Sequence, residues 1–140
     1  MGYTNYWSHK SGIKQFPEQM LDDLRRIIAA RPDIKIDNED GGAPIITPTK
    51  IRFNGTDGND YETFLFCPNG WSGVLKSRHC FCKTAYKNYD VFVKACLILG
   101  LKYGVLDEWS FDGDKKDDEL YHETVKIFRK LKITLRKPRD

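Results

Sequence analysis

Two stretches decide the fold: Lys50-Ile51-Arg52-Phe53-Asn54-Gly55 and Tyr61-Glu62-Thr63-Phe64-Leu65-Phe66. In the first, Ile51 and Phe53 alternate with Lys50, Arg52 and Asn54, the period-two pattern of a strand with one buried face. Asn54-Gly55 through Asp60 is rich in residues that tolerate positive φ and reads as a turn. Tyr61 to Phe66 returns as a second strand, so the pair predicts an antiparallel hairpin. If Ile51, Phe53, Phe64 and Phe66 face a core, Arg52, Tyr61 and Thr63 share the other face.

Outward from the hairpin, strands and helices alternate. Tyr3 to Lys10 reads as a polar-aromatic strand. Pro17 opens a helix through Ala30, with Met20, Leu21, Leu24, Ile27 and Ile28 at helical spacing. Arg31-Pro32 ends it. Ile34 and Ile36 predict a small strand, and Asn38 to Gly42 a turn. Downstream, Ser77 to Lys83 is a further strand. Asn88 is a candidate N-cap for a helix from Tyr89 to Tyr103, with Gly104 as its C-cap glycine. Trp109 and Phe111 mark a last strand. A helix from about Asp117 to Leu131 buries Leu120, Tyr121, Thr124, Phe128 and Leu131. The expectation is one α+β domain over residues 1–140: a mainly antiparallel sheet with about three helices packed on one face. A mobile loop is expected at 37–44 and a basic tail at 132–140.

The chain has 140 residues, a net charge of +3, 40% hydrophobic and 31% charged residues. That excludes disordered and fibrous classes. The longest apolar run, Ala95 to Leu101, is broken by Gly100 and is too short to span a bilayer. Met1 to Asn5 carries no apolar secretion segment, and Tyr6 stands where an acylation motif needs Ser or Thr. A cytoplasmic protein with free thiols is therefore expected. Asp107 to Glu119 is acidic and Lys126 to Arg139 is basic. Both read as solvated charge, with a nucleic-acid footprint on the basic stretch as the alternative.

Few residues point to chemistry. Cys80 and Cys82 share a strand face, with Cys67 upstream, but no second ligand pair is present and His79 faces the other way. All three cysteines, and Cys96 in a helical stripe, read as core. Asp112 to Asp117 resembles a calcium loop only superficially, because Lys115 and Lys116 fall where ligands belong. Neither a metal nor a cofactor is implied. What remains is an inventory of strand residues: Tyr3, Thr4, Tyr6, Trp7 and His9 on the first strand, Arg52, Tyr61 and Thr63 on the hairpin, and His79 with Lys83 and Arg78 with Thr84 on the two faces of the next strand. Rings that stack, cations and hydroxyls are what a base and its phosphate require. The same inventory on a wet sheet face would only stabilise the sheet.

Gly2-Tyr3-Thr4-Asn5-Tyr6-Trp7, Phe53-Asn54-Gly55, Tyr61 to Phe66, Phe81-Cys82-Lys83-Thr84-Ala85, Tyr89-Asp90 and Ser110-Phe111-Asp112-Gly113 follow one another along most of the chain. In these pieces the sequence resembles a family of small phage and prophage-type proteins. It departs where the family has a basic residue and a Pro, here Tyr86-Lys87 and Asn88. Lys87 would have to replace that basic residue. The resemblance implies a phage setting, in which small proteins counter host defence by capturing or cleaving signal nucleotides. From it follows an expected non-enzymatic, homo-oligomeric sponge for a cyclic or ADP-ribose-derived nucleotide. Tyr6 and Trp7 would stack the base, and Lys83 with Arg52 would neutralise phosphate. Thr4, Asn54 and Thr84 would donate hydrogen bonds, and Glu62 or Asp112 would accept them. The alternatives are a metal-independent hydrolase using His79, Glu62 and Lys83, and a nucleic-acid or host-protein binding module on the basic C-terminal helix.

Overall fold

The structure, a computed structural model, describes residues 3–38, 40–70 and 79–135. Gly2, the start of the strand expected from Ser77, and the basic tail beyond 135 lie outside them. The elements run β1 (Thr4–His9), α1 (Glu18–Ala29), β2 (Ile36–Asp37), β3 (Ile45–Thr47), β4 (Lys50–Gly55), β5 (Phe64–Phe66), β6 (His79–Lys83), α2 (Asp90–Lys102), β7 (Leu106–Phe111) and α3 (Glu119–Leu131). The fold is α+β with antiparallel pairing throughout the named strands.

The strands divide between two sheets. One is three-stranded, in the order β6-β1-β7. The other is built on β4, which pairs with β2, β3 and β5. The expected hairpin is β4 and β5, with Ile51 opposite Phe66 and Phe53 opposite Phe64, but β5 begins only at Phe64, so Tyr61, Glu62 and Thr63 of the expected strand lie before it. The four paired side chains are fully buried, as their alternation requires. β3 has no counterpart in the sequence reading, because Ile45-Ile46-Thr47 is too short to show a period.

The core lies where both sheets meet the helices. α1 and α3 bury one stripe each, but α2 is buried over its whole length from Asp90 to Gly100. Its Val, Leu, Ile, Phe and Cys residues go round the helix, as in a helix with no solvent face. Gly100 is the point of closest approach: a Cβ there would lie 2.9 Å from Leu106 Cγ and 3.2 Å from Phe66 Cζ. The N-cap position of α2 is Tyr89 rather than Asn88, with no side-chain cap bond. Asp118 caps α3 by accepting from the Tyr121 N–H at 2.8 Å. Gly104 takes a positive φ of 76° just past α2, as a C-terminal glycine should.

The three-stranded sheet also buries a charged cluster against α2 and α3. Lys94 Nζ, on a fully buried side chain, lies 2.7 Å from Asp90 Oδ2 and 3.0 Å from Asn5 Oδ1. It sits between two rings, 4.4 Å from that of Tyr3 and 4.3 Å from that of Phe111. Asp90 Oδ1 accepts from Asn5 Nδ2 and Thr84 Oγ1, each at 2.7 Å. Burial pushes the Lys94 pKa down, and the adjacent Asp90 carboxylate opposes that shift. Tyr3 donates to Asp118 Oδ2 at 2.7 Å; burial raises its pKa, so the phenol keeps its proton.

Candidate functional site

Directly opposed residues of antiparallel strands project to the same side. Along β1 the inward residues are Asn5, Trp7 and His9, so Thr4, Tyr6 and Ser8 alternate to the other side, where Tyr6 and Ser8 reach the surface and Thr4 is itself buried, at 4% exposed. The register then fixes the rest of the outer face. Lys83 lies beside Thr4, Phe81 beside Tyr6 and His79 beside Ser8 on β6. On β7, Ser110 lies beside Tyr6 and Glu108 beside Ser8. Asp112 follows β7 and completes the row of Thr4, donating its N–H to Thr4 O at 3.1 Å and accepting from the Thr4 N–H through Oδ2 at 3.0 Å.

This face brings together part of the set expected from sequence. Glu62, Lys83, Thr4 and Asp112 form one continuous row. Glu62 is tied in because its Oε1 accepts from the Lys83 N–H at 2.7 Å, while its own N–H donates to Lys83 O at 3.2 Å. Tyr89 OH fixes the same corner by donating to Glu62 O at 2.5 Å. Tyr6 stands in the next row, 44% exposed, beside Phe81 at 50%. Charge is uneven across the face: the β7 side carries the carboxylates of Glu108 and Asp112, and the β6 side carries Lys83 with the Glu62 carboxylate beside it. A depression of about 540 Å³ opens beside Tyr6, Phe81, His79, Glu108 and Ser110.

The rest of the set lies elsewhere. Trp7 is 3% exposed and packs against Phe64 and Phe66, with ring centroids 5.4 and 6.1 Å away. Neighbours on a strand point to opposite faces, so Tyr6 and Trp7 do not form a clamp. Thr84 is held inward by Asp90. Asn54 is occupied by the turn after β4: its side chain donates to Tyr61 O and Thr63 Oγ1 and accepts from the N–H groups of Gly55 and Tyr61. Arg52 belongs to the other sheet, where its guanidinium donates to Asn38 Oδ1. His79 lies four residues from Lys83 on one strand, about 13 Å between Cα atoms. His79, Glu62 and Lys83 therefore do not converge on one reacting atom.

Phe81 is the residue that sequence reading missed. Its signal was present, since a residue between inward Cys80 and Cys82 must point outward. Its place beside Tyr6 depends on register, which no local pattern records. All four cysteines are free and buried. Burial raises the pKa of the Cys67, Cys82 and Cys96 thiols, which are therefore poor nucleophiles.

Two other depressions carry opposite charge. One, of about 740 Å³, is lined by Asp37, Asp57, Asp60 and Glu62 with Tyr61 and Phe81. The other, of about 570 Å³ along α3, is lined by Lys115, His122, Lys126 and Arg129 with Tyr121 and Leu135. Among the described residues no helix is long and apolar enough to cross a membrane. No family model, no curated protein and no solved structure matches the chain. The fold and this face thus define the class alone: an α+β protein whose three-stranded antiparallel sheet exposes Tyr6 and Phe81 on its outer face.

Proposed function

We propose that the chain binds a nucleotide on the outer face of the β6-β1-β7 sheet and holds it without cleaving it. The observation that carries this reading is the cross-strand pair Tyr6 and Phe81, exposed side by side next to the Lys83–Thr4–Asp112 row. Paired rings on adjacent strands offer a base a stacking surface, worth about 1–3 kcal/mol per base by alanine substitution. Lys83 is the cation in reach of a phosphate, and Glu62 and Asp112 accept from ribose hydroxyls or an exocyclic amine. The finer step rests on the resemblance to phage-type proteins: the ligand is a host immune signal, cyclic or ADP-ribose-derived, and the protein is a sponge acting in the host cytoplasm.

The test mixes purified protein with a panel of such nucleotides, filters it away and assays the filtrate by mass spectrometry. The retained protein is then heat-denatured and assayed again. A sponge removes one compound and returns it intact. Recovery of fragments indicates a hydrolase, and a panel left whole and free overturns the nucleotide reading.

A second reading, nucleic-acid binding, is favoured by the groove along α3, where Lys115, Lys126 and Arg129 surround Tyr121. It predicts binding to any duplex that falls steeply with salt. Tight, salt-insensitive capture of one small molecule excludes it as the main role.

A further inference from the structure

We propose that the outer face of the β6-β1-β7 sheet closes on a second copy of the chain about a two-fold axis parallel to β1. The face carries Lys83, Phe81 and His79 in one column, with Glu62 outside Lys83, and Asp112, Ser110 and Glu108 in another. Thr4, Tyr6 and Ser8 run between them. Sheets that pack face to face keep their strands roughly aligned. Two in-plane two-fold axes allow this, one along β1 and one across it.

The axis along β1 exchanges the outer columns and keeps the rows. Lys83 then lies over Asp112 of the second copy, His79 over Glu108, Phe81 over Ser110, and Tyr6 over Tyr6. The axis across the strands keeps the columns and exchanges the outer rows. Lys83 then meets His79 and finds no counter-charge, and Asp112 meets Glu108, carboxylate on carboxylate. The charge pattern fits one axis and disfavours the other. An isologous contact of this kind makes a closed dimer and no further polymer. It also removes Tyr6, 44% exposed, and Phe81, 50% exposed, from water.

Three strands make a small patch against the roughly 800 Å² that each partner buries in a standard interface. The dimer is therefore expected to be weak and to depend on charges that salt screens. It rests on the charge pattern and not on the nucleotide reading. Only one consequence joins them: a base seated on Tyr6 and Phe81 and a second copy exclude one another.

Sedimentation equilibrium on the full chain tests it, at low and at high ionic strength and up to submillimolar protein. A dimer is expected at low salt and dissociation at high salt. Lys83→Asp should weaken it about tenfold, and the swap Lys83→Asp with Asp112→Lys should restore it to within about threefold. Asp112→Lys also removes the acceptor of the Thr4 N–H, so Glu108→Lys, with no such bond, serves as the second single variant and should weaken the dimer comparably. Thermal melts establish that each variant is folded. A chain monomeric at every concentration overturns the proposal. So does a dimer indifferent to Lys83→Asp and Glu108→Lys, which would use another surface. A dimer that Lys83→Asp strengthens would not set Lys83 against Asp112, which also overturns it. In the nucleotide arm, a bound compound that dissolves the dimer supports the shared face. A compound bound to an intact dimer overturns that sharing, and a dimer that binds none of the panel removes the nucleotide reading and leaves the interface.

Discussion

Lys94 is the residue on which the three-stranded sheet depends most. Its ammonium is fully buried and held by Asp90, Asn5 and two rings. A buried pair repays desolvation only while both partners are present. Lys94→Met should therefore cost about 3–5 kcal/mol in urea unfolding, because it leaves the Asp90 charge unpaired. Adding Asp90→Asn to Lys94→Met should recover part of that loss, since a neutral amide carries a smaller burial penalty; additive losses would count against the pair. His9 makes a second test. Its Nε2 accepts from Trp7 Nε1–H at 3.0 Å, and Nδ1 lies 3.2 Å from Pro68 O, so Nδ1 carries the proton and the ring is neutral. Burial lowers its pKa to about 4. A folded pKa below the unfolded value of about 6.5 means that the stability is present above that pH and is lost as pH falls towards about 4. With His9 buried, the loss across that window should be about 3 kcal/mol. His9→Gln should flatten the slope of unfolding free energy over that window, and an unchanged slope would assign the acid sensitivity to other groups.

At the scale of elements, α2 meets β7 and β5 where Gly100 leaves no room for a methyl group. Alanine ordinarily stabilises a helix interior by up to about 1 kcal/mol over glycine. At Gly100 the added Cβ would press on Leu106 and Phe66, both in the core, and overpacking costs roughly 1–3 kcal/mol. Gly100→Ala should thus lower the urea midpoint although it raises helix propensity; a higher midpoint would mean that β7 yields at little cost. The same contact explains what was legible in the sequence. Helices with one apolar stripe, α1 and α3, show their period and were found within about two residues at each end. α2 was found from its apolar run, but its burial on every side was not, because Phe92, Val93, Cys96 and Leu97 also fit a single stripe. Strand pairing was legible only between β4 and β5, which follow one another in the chain with residues 56–63 between them. β1 pairs with β6 and β7 across most of the chain, and no local pattern encodes that distance. The split into two sheets was hidden for the same reason. So was the grouping of Thr4, Lys83, Glu62 and Asp112 apart from Arg52 and Asn54.

For the whole molecule, one core runs through both sheets and the three helices, and the outer face of the β6-β1-β7 sheet keeps Tyr6 and Phe81 exposed. That division separates two neighbours on one strand. Trp7 belongs to the core, where its ring meets Phe64 and Phe66, while Tyr6 belongs to the surface beside Phe81. Trp7→Ala removes a buried aromatic, and such truncations cost about 3–5 kcal/mol. Its melting temperature should fall sharply, and any loss of ligand capture would report unfolding. Tyr6→Ala with Phe81→Ala removes only half-exposed rings, so the cost should stay near the cross-strand pair value of about 1 kcal/mol or less. If the outer face is the stacking surface, that double variant keeps its melt and loses capture of whichever nucleotide the wild-type protein retains. A folded double variant that still captures the compound would place the ligand elsewhere, with the cationic groove along α3 the next surface to mutate.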